Sequence, residues 1–443
     1  MTETALPTIL RPDSPGFDDA RSTYNLTADL RPWGVALPTS VEEVQALVRF
    51  AADEGLAVAA FTTGHMAVAL PDLSGTLLVR PRLEGGVQID PQARTARIPA
   101  GTVWDPVVSA AAEHGLIAAH GSSPTVGVVG YLLSGGASFY GRRYGVAANH
   151  VRAIELVDAT GALRRVDADH DADLFWALRG GGGAFGVVTA IEIDLFAATT
   201  VYAGTLFYAA ADARAAMQAW LAFCETAPPQ ISTSFRILTL PPLPEVSEPL
   251  RATPHAAIDL VALLDADAGA TLIAPLRAAA PLVIDGVAQM PAAAAARVHG
   301  DPEVPVPAIS TNGMVDHLDD AAVDAFLGAT IGSALLSAEL RQLGDALAVA
   351  PEGAGALGEL GGGFLLYGVG APMGPVTPDA VRASCDRLDD AMGPWLGERH
   401  YLGFAEQGGS AAQCFAPDVY ARLLAIRERV DPDGRFVAAH SIS

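Results

Sequence analysis

The chain contains no lysine: all 27 basic residues among its 443 are arginines. A P-loop needs a lysine on its phosphates, and a pyridoxal-phosphate enzyme needs one for its Schiff base, so both mechanisms are excluded on inventory alone. Cysteine is equally sparse. Cys224, Cys385 and Cys414 are far apart and odd in number, with no CxxC spacing; neither a disulfide framework nor a structural metal is expected. Positive charge is outweighed, with a net charge of −23. Such a surface repels phosphate backbones, which argues against a nucleic-acid partner. No apolar run reaches the roughly 18 residues of a membrane span. Residues 1–15 lack a basic stretch followed by an apolar one. The expectation is a protein of the reducing cytoplasm with no membrane partner. GxSxG and HExxH are also missing, which removes the common serine-hydrolase and zinc-protease signatures.

What is present is a large potential core. Hydrophobic residues make up 51% of the chain and charged residues only 17%, and the length implies two or three domains. Ser40 with Glu43 forms a capping-box signature ahead of an apolar face of Val44, Leu47, Val48 and Ala51. A short strand-like run, 57–61, then leads into Thr62-Thr63-Gly64-His65. Hairpins are expected about Asp90-Pro91 and Thr160-Gly161. Asp105-Pro106 opens a helix closed by Gly115, and Asp171 is placed as the cap of a helix carrying Leu174, Phe175 and Leu178. Beyond residue 199, strand-like runs at 204–208, 231–238, 257–264 and 364–369 alternate with Ala-rich helical ones, which implies an α+β sheet domain. The Ala run 292–296 reads as either a helix or a mobile loop. A helix is expected over 417–430, followed by the turn Asp431-Pro432-Asp433-Gly434.

Three loops could carry chemistry. Gly64-His65, after a buried strand, brings backbone N–H groups and an imidazole to one place; taken alone, a surface turn with a solvated histidine is the plainer reading. The run from Gly121 to Gly130, continuing to Gly135-Gly136, offers neutral N–H donors for an anionic pyrophosphate, which suits a chain without lysine; a purely structural turn fits equally well. The third, Gly180 to Gly186, contains a formal GxGxxG. A dinucleotide fingerprint needs a strand before it and a helix after it. Here a helix precedes and a strand follows, so the Rossmann reading is rejected.

Taken in order, these motifs resemble the berberine-bridge-enzyme-like FAD-linked oxidases of the vanillyl-alcohol-oxidase (PCMH-type) flavoprotein superfamily. The resemblance rests on Pro38 to Val48, Gly64-His65, Pro124-Thr125-Val126-Gly127, Tyr144-Gly145 with 151–161, and above all Asp173 to Thr189. Tyr420 to Leu423, Asp431-Pro432 and Phe436 extend it to the tail. The fold it implies is α+β. A two-part FAD-binding domain spans 1–198 (subdomains about 30–100 and 101–198). An α+β substrate domain with a mainly antiparallel sheet covered by helices spans 199–404, and 405–443 return to the FAD domain. FAD contacts are implied at Thr62, Thr63, Gly64, His65, Gly121, Ser122, Ser123, Thr125, Val126, Gly127, Gly130, Gly186, Val187, Val188 and His440. His65 inherits the covalent link to FAD. Ser123 stands where many relatives carry a second, cysteinyl link, so one attachment is the maximum. Val126 is of the small type found beside the oxygen-reactive face of oxidases.

There are departures. The family's Arg-Ser/Thr-Gly-Gly-His-Ser reads here as Phe61 to Met66, and its Tyr-x-Asn reads Tyr401-Leu402-Gly403. Tyr401 matches the family's base, and Tyr367 is a second candidate; either phenol needs a neighbouring cation or the flavin environment to lower its pKa. The implied activity is oxidation of an alcohol or related C–H site in a small or secondary-metabolite substrate, with oxygen as acceptor and hydrogen peroxide as by-product. A dehydrogenase using another acceptor, and a catalytically silent flavin carrier, are the alternatives.

Overall fold

Residues 6–244, 246–406 and 409–442 are described by a computed structural model of the chain. Its first layer is a five-stranded sheet in the order Ile9–Leu10, Gly34–Ala36, Thr76–Val79, Ala57–Ala60, Phe436–Val437. All neighbours but the first pair run parallel. Helix Val41–Asp53 packs on it through Val44, Leu47, Val48 and Ala51, all fully buried. The Ser40 hydroxyl accepts from the Glu43 amide, as the sequence pattern predicts. The reciprocal bond is displaced by one residue: the Glu43 carboxylate takes the amide of Thr39, at 2.6 Å. Such a cap contributes about 1 kcal/mol.

The second layer is an antiparallel sheet in the order Gln88–Asp90, Thr95–Pro99, Val187–Asp194, Val151–Val157, Leu163–Asp167. Both expected hairpins are present within it. Helix Trp104–Ala112 and helix Ala172–Leu178 belong to its core, with Trp104, Phe175 and Phe185 buried. The expected cap at Asp171 needs correction. Asp171 occupies the position but lies in the left-handed region (φ 52°) and makes no side-chain cap bond. Its carboxylate faces Arg164 and Arg429 instead.

The third layer is an eight-stranded antiparallel sheet. Six of its strands follow one another in the order Thr200–Ala209, Pro254–Ala262, Ile231–Thr239, Ser337–Gln342, Phe364–Gly370 and, at the edge, Ile309–Val315. Helices Ala213–Cys224, Asp320–Thr330 and Pro378–Met392 join one side of it in an apolar core built on Trp220, Phe235, Ile258, Phe326, Leu340 and Leu388. Strand residues alternate faces, so the other side presents Ser234, Arg236, Asp259, Glu339, Arg341 and Tyr367. The register confirms it: Ser234 is opposite Asp259, Arg236 opposite Glu339, and Glu339 opposite Tyr367. The Ala run is a 3-10 helix, Ala292–Arg297. The tail helix spans Pro417–Val430. Among the described residues no helix is long and apolar enough to cross a membrane.

Candidate active site

The strand Ala57–Ala60 delivers Thr62 to His65 beside the second glycine loop. A Cβ added to Gly127 would lie 2.8 Å from that of Thr62, so the two loops touch backbone to side chain. Gly64 has φ +77°, a conformation glycine adopts at no steric cost. The Thr63 carbonyl accepts from the Tyr24 amide at 2.7 Å. The Tyr24 ring stacks on His65 with centroids 3.8 Å apart, while its hydroxyl is hydrogen-bonded to the carbonyl of Pro302. His65 Nε2 is buried and has no hydrogen-bond partner among the described residues. Burial holds the His65 pKa down to about 4, against an opposing pull from Asp301. The ring is therefore neutral near pH 7.

In the second loop the Ser123 and Thr125 hydroxyls pair at 3.0 Å. Val126 accepts the first amide of helix Trp104–Ala112. Gly121 lies against the Tyr131 ring, while Gly130 opens onto free space. Ser122 reaches outward and donates to Asp301 Oδ2 at 3.2 Å. Gly186, Val187 and Val188 are placed differently, at the start of strand Val187–Asp194. Gly186 packs against Leu156 and the Val157 carbonyl so closely that any Cβ would clash. Gly186 thus serves close packing at the start of a strand that adjoins helix Val128–Leu133, the continuation of the second loop. The rejected dinucleotide fingerprint is indeed preceded by helix Ala172–Leu178 and followed by that strand.

His440 lies in a small groove of about 60 Å³ with Met66, Gly181, Gly182, Gly183 and Leu402. Its Nε2 is 2.6 Å from the Ala405 carbonyl. The tail thus meets the end of the His65 loop and the four-glycine run at one place. Cβ atoms on Gly182 or Gly183 would meet nothing closer than 4.0 Å. An orphaned buried imidazole nitrogen, open glycine faces and neutral amides fit a dinucleotide cofactor held without lysine.

Both candidate bases are tyrosines, and neither is activated. The Tyr401 hydroxyl accepts from the amides of Gly136 (3.0 Å) and Ala137 (2.9 Å). Burial pushes its pKa up to about 12; those amides and Arg341 pull the other way and lose. The Tyr367 hydroxyl is 3.3 Å from the Glu406 carboxyl, and burial together with Glu406 raises its pKa well above 10. Within the chain, no neighbouring cation supplies the expected lowering for either tyrosine. Tyr401 and Tyr367 are joined through Phe404, whose ring lies 5.2 Å from the first and 4.7 Å from the second.

Sequence reasoning missed the charged face of the third sheet. Arg236 donates to Asp259 at 2.7 Å and to the His299 carbonyl at 3.0 Å. Arg341 holds Glu339 through two bonds, at 3.0 and 3.2 Å. His299 Nδ1 is 2.6 Å from Asp301, and its Nε2 makes an ionic contact with Glu339 at 3.3 Å. Burial alone lowers the His299 pKa, but Asp301 and Glu339 outweigh it and raise it to about 9. Near them Glu406 accepts from Ser310 at 2.7 Å, and burial raises its pKa. A cavity of about 310 Å³ borders Glu406, Ser310, Thr311, Asp389 and Asn25. Asp389 itself is half-buried and accepts from the Thr311 hydroxyl.

Comparisons with known proteins bear on the cofactor domain and on the fold. Residues 32–167 match the family of FAD binding domains. Over 188 residues (42% of this chain, 41% of the relative) the chain is 35% identical to (R)-6-hydroxynicotine oxidase of Paenarthrobacter nicotinovorans. It is 33% identical over 180 residues (40% and 36%) to the xylooligosaccharide oxidase of Thermothelomyces thermophilus. Such alignments span about two fifths of the length of the curated relatives. The fold matches over nearly its whole length. The crystal structure of 6-hydroxy-D-nicotine oxidase from Arthrobacter nicotinovorans gives a TM-score of 0.83 at 24% identity, covering 98% of this chain and 97% of that one. The BBE-like 1 protein of Physcomitrella patens gives 0.82 at 18%, covering 98% and 96%. The class defined by fold and family match is thus a protein with an FAD binding domain joined to a large antiparallel sheet. Within that class, residues 32–167 carry an FAD binding domain, and the chain as a whole shares its fold with 6-hydroxy-D-nicotine oxidase and the BBE-like 1 protein.

Proposed function

We propose that the protein is an FAD-dependent oxidase of a small molecule, acting on an alcohol or a related C–H site and passing the electrons to oxygen as hydrogen peroxide. The observation that carries this reading is the convergence of three elements: the His65 loop, the Gly121–Gly130 loop and the charged face of the third sheet. Asp301 joins them, bonded to Ser122 and electrostatically felt by His65 and Tyr367. When bound, FAD supplies the hydride acceptor. The chain's own part is to hold the substrate carbon beside it and to take the proton from the substrate's hydroxyl or amine. The two relatives named for hydroxynicotine and xylooligosaccharide oxidation support the oxidase reading. Val126, the small residue in the second loop, favours oxygen as acceptor over another oxidant.

The FAD contacts are proposed at Thr62 to His65, Gly121 to Ser123, Thr125 to Gly127, Gly130, Gly186 to Val188 and His440, within a unit comprising 1–198 and the returning tail. His65 is proposed as the single covalent anchor. Its neutral ring has the lone pair such a bond needs, and Ser123 offers no thiol for a second. Two measurements test these statements. Acid-precipitated protein should retain yellow fluorescence on a denaturing gel, and His65→Ala should release its flavin while staying folded; flavin that washes out of the wild type contradicts the tether. In stopped flow, reduced flavin should be reoxidised rapidly by oxygen; slow reoxidation would instead identify a dehydrogenase.

A further inference from the structure

The two tyrosines carry pKa values moved in the wrong direction for a base, and Glu406 is raised by burial. One carboxylate near them is built differently. Asp301 follows the 3-10 helix Ala292–Arg297 and keeps 29% of its side-chain surface open, whereas the His299 and Glu339 side chains are 8% and 2% exposed. One of its oxygens receives the His299 imidazole at 2.6 Å; the other receives the Ser122 hydroxyl at 3.2 Å from the glycine loop. The next residue, Pro302, holds Tyr24 and so the ring stacked on His65. His299 is clamped in turn: Glu339 lies across its far nitrogen, and Arg236 takes its carbonyl.

We propose that Asp301 is the proton acceptor of the reaction and that His299 is the residue that positions it. The inference rests on the oxidase reading above and goes beyond it by assigning the base to a residue outside every motif. The step balances as follows. The substrate's O–H or N–H bond breaks and leaves its proton on Asp301. The adjacent C–H bond breaks and gives its hydride to FAD. The electron pair left on oxygen or nitrogen forms the C=O or C=N bond. Molecular oxygen then takes the two electrons and two protons as hydrogen peroxide.

The electrostatics agree with this geometry. Burial pushes the Asp301 carboxyl up, but His299 and Arg236 outweigh both burial and the repulsion from Glu339, and the net shift is down. The other titratable groups that feel Asp301 are Tyr24, His65, Arg341 and Tyr367. Asp301 is thus an ionised acceptor across the neutral range, with an imidazolium rather than bulk water fixing its orientation.

The test uses the flavin-loaded protein in three forms: wild type, Asp301→Asn and His299→Gln. Histidine-selective 15N NMR first reads the pair without turnover. His299 should remain an imidazolium to about pH 9, and Asp301→Asn should lower its titration by about one unit or more. A His299 that titrates at its ordinary value in the wild type overturns the assignment. Anaerobic flavin reduction by a panel of primary and secondary alcohols, aldose sugars and alkylamines then reads the chemistry. Asp301→Asn should retain flavin and slow reduction at least about 100-fold, whereas Tyr401→Phe slows it less than about 10-fold. His299→Gln should move the acid limb of the rate profile upward by about one unit or more, which a merely structural role would not do. Should Asp301→Asn not fold, this shift decides, and an unmoved limb overturns the proposal. Equal reduction rates in wild type and Asp301→Asn overturn the base assignment while leaving the oxidase reading intact. A wild type reduced by no member of the panel overturns the oxidase reading and the assignment with it.

Discussion

Histidines in this molecule sit in opposite electrostatic surroundings, and the contrast has a measurable consequence. His120 is fully buried, with Nδ1 2.7 Å from the Gly121 carbonyl, and burial lowers its pKa to about 4. His299 is buried as deeply, yet two carboxylates raise it to about 9. Unfolded histidines titrate near 6.5. The folded state therefore releases the His120 proton early, and the stability linked to it is full above pH 6.5 and lost as pH falls toward 4. The folded state keeps the His299 proton late, and that stability is full below pH 6.5 and lost as pH rises through 9. Each contribution is on the order of 3 kcal/mol. Denaturant midpoints at pH 4.5, 6.5 and 9.5 should show a maximum at the middle value. His120→Asn should make the acid arm shallower, leaving the share that His65 contributes, and His299→Asn should flatten the alkaline arm. An alkaline arm unchanged by His299→Asn contradicts the ion pairs described around it.

At the scale of elements, the glycine run Gly180 to Gly183 splits into two functions. Gly180 has φ +93°, and a Cβ there would lie 2.5 Å from Leu357 Cβ and 2.9 Å from the Leu357 amide nitrogen, an atom that cannot move aside. Gly180→Ala should cost about 3 kcal/mol, strain and overpacking combined. Gly353→Ala, at φ +73° with open space around it, should cost only about 1 kcal/mol. Equal melting temperatures for the two variants contradict this packing. The same scale shows what the sequence makes legible. Helix Val41–Asp53 announces itself through a cap and an apolar stripe, and the hairpins through their turns, because those signals are local. The loops around His65 and Gly121 are legible through glycines and a family pattern. The charged face of the third sheet is not. Glu339 and Arg341, two residues apart, look like the solvated side of a strand. Only the long-range pairing of Ser337–Gln342 with Ile231–Thr239 turns that side inward. Asp301 sits in a Gly- and Pro-rich connection that carries no periodicity. Asp171 fails in the opposite way: its type suggests a cap, while its arginine neighbours come from distant segments.

For the whole molecule, the division of labour between layers explains how a chain so short of positive charge can hold an anionic cofactor. In the proposed site, the backbone amides and the imidazole come from loops of the first two sheets. The third sheet spends its arginines internally, Arg236 on Asp259 and Arg341 on Glu339. Those pairs order the inner face of that sheet; their deep burial makes each partner costly to remove, about 3–5 kcal/mol for a single truncation. The net charge of −23 then belongs to the outer surface, where it opposes self-association.

The parallel pairing of Phe436–Val437 with Val58 and Ala59 reaches further than its two residues suggest. The strand it completes is the one that projects the His65 loop, and His440 follows three residues after Val437. During synthesis, residue 58 leaves the ribosome long before residue 436 exists. The sheet edge must then wait open, and contacts of such sequence separation form late. If the His65 loop holds the cofactor, capture must await residues 436–440, long after the loop itself has been made. Chains ending at Val430 should retain helical structure by circular dichroism yet come off the column colourless. A yellow truncated protein would show that the site closes without its final strand.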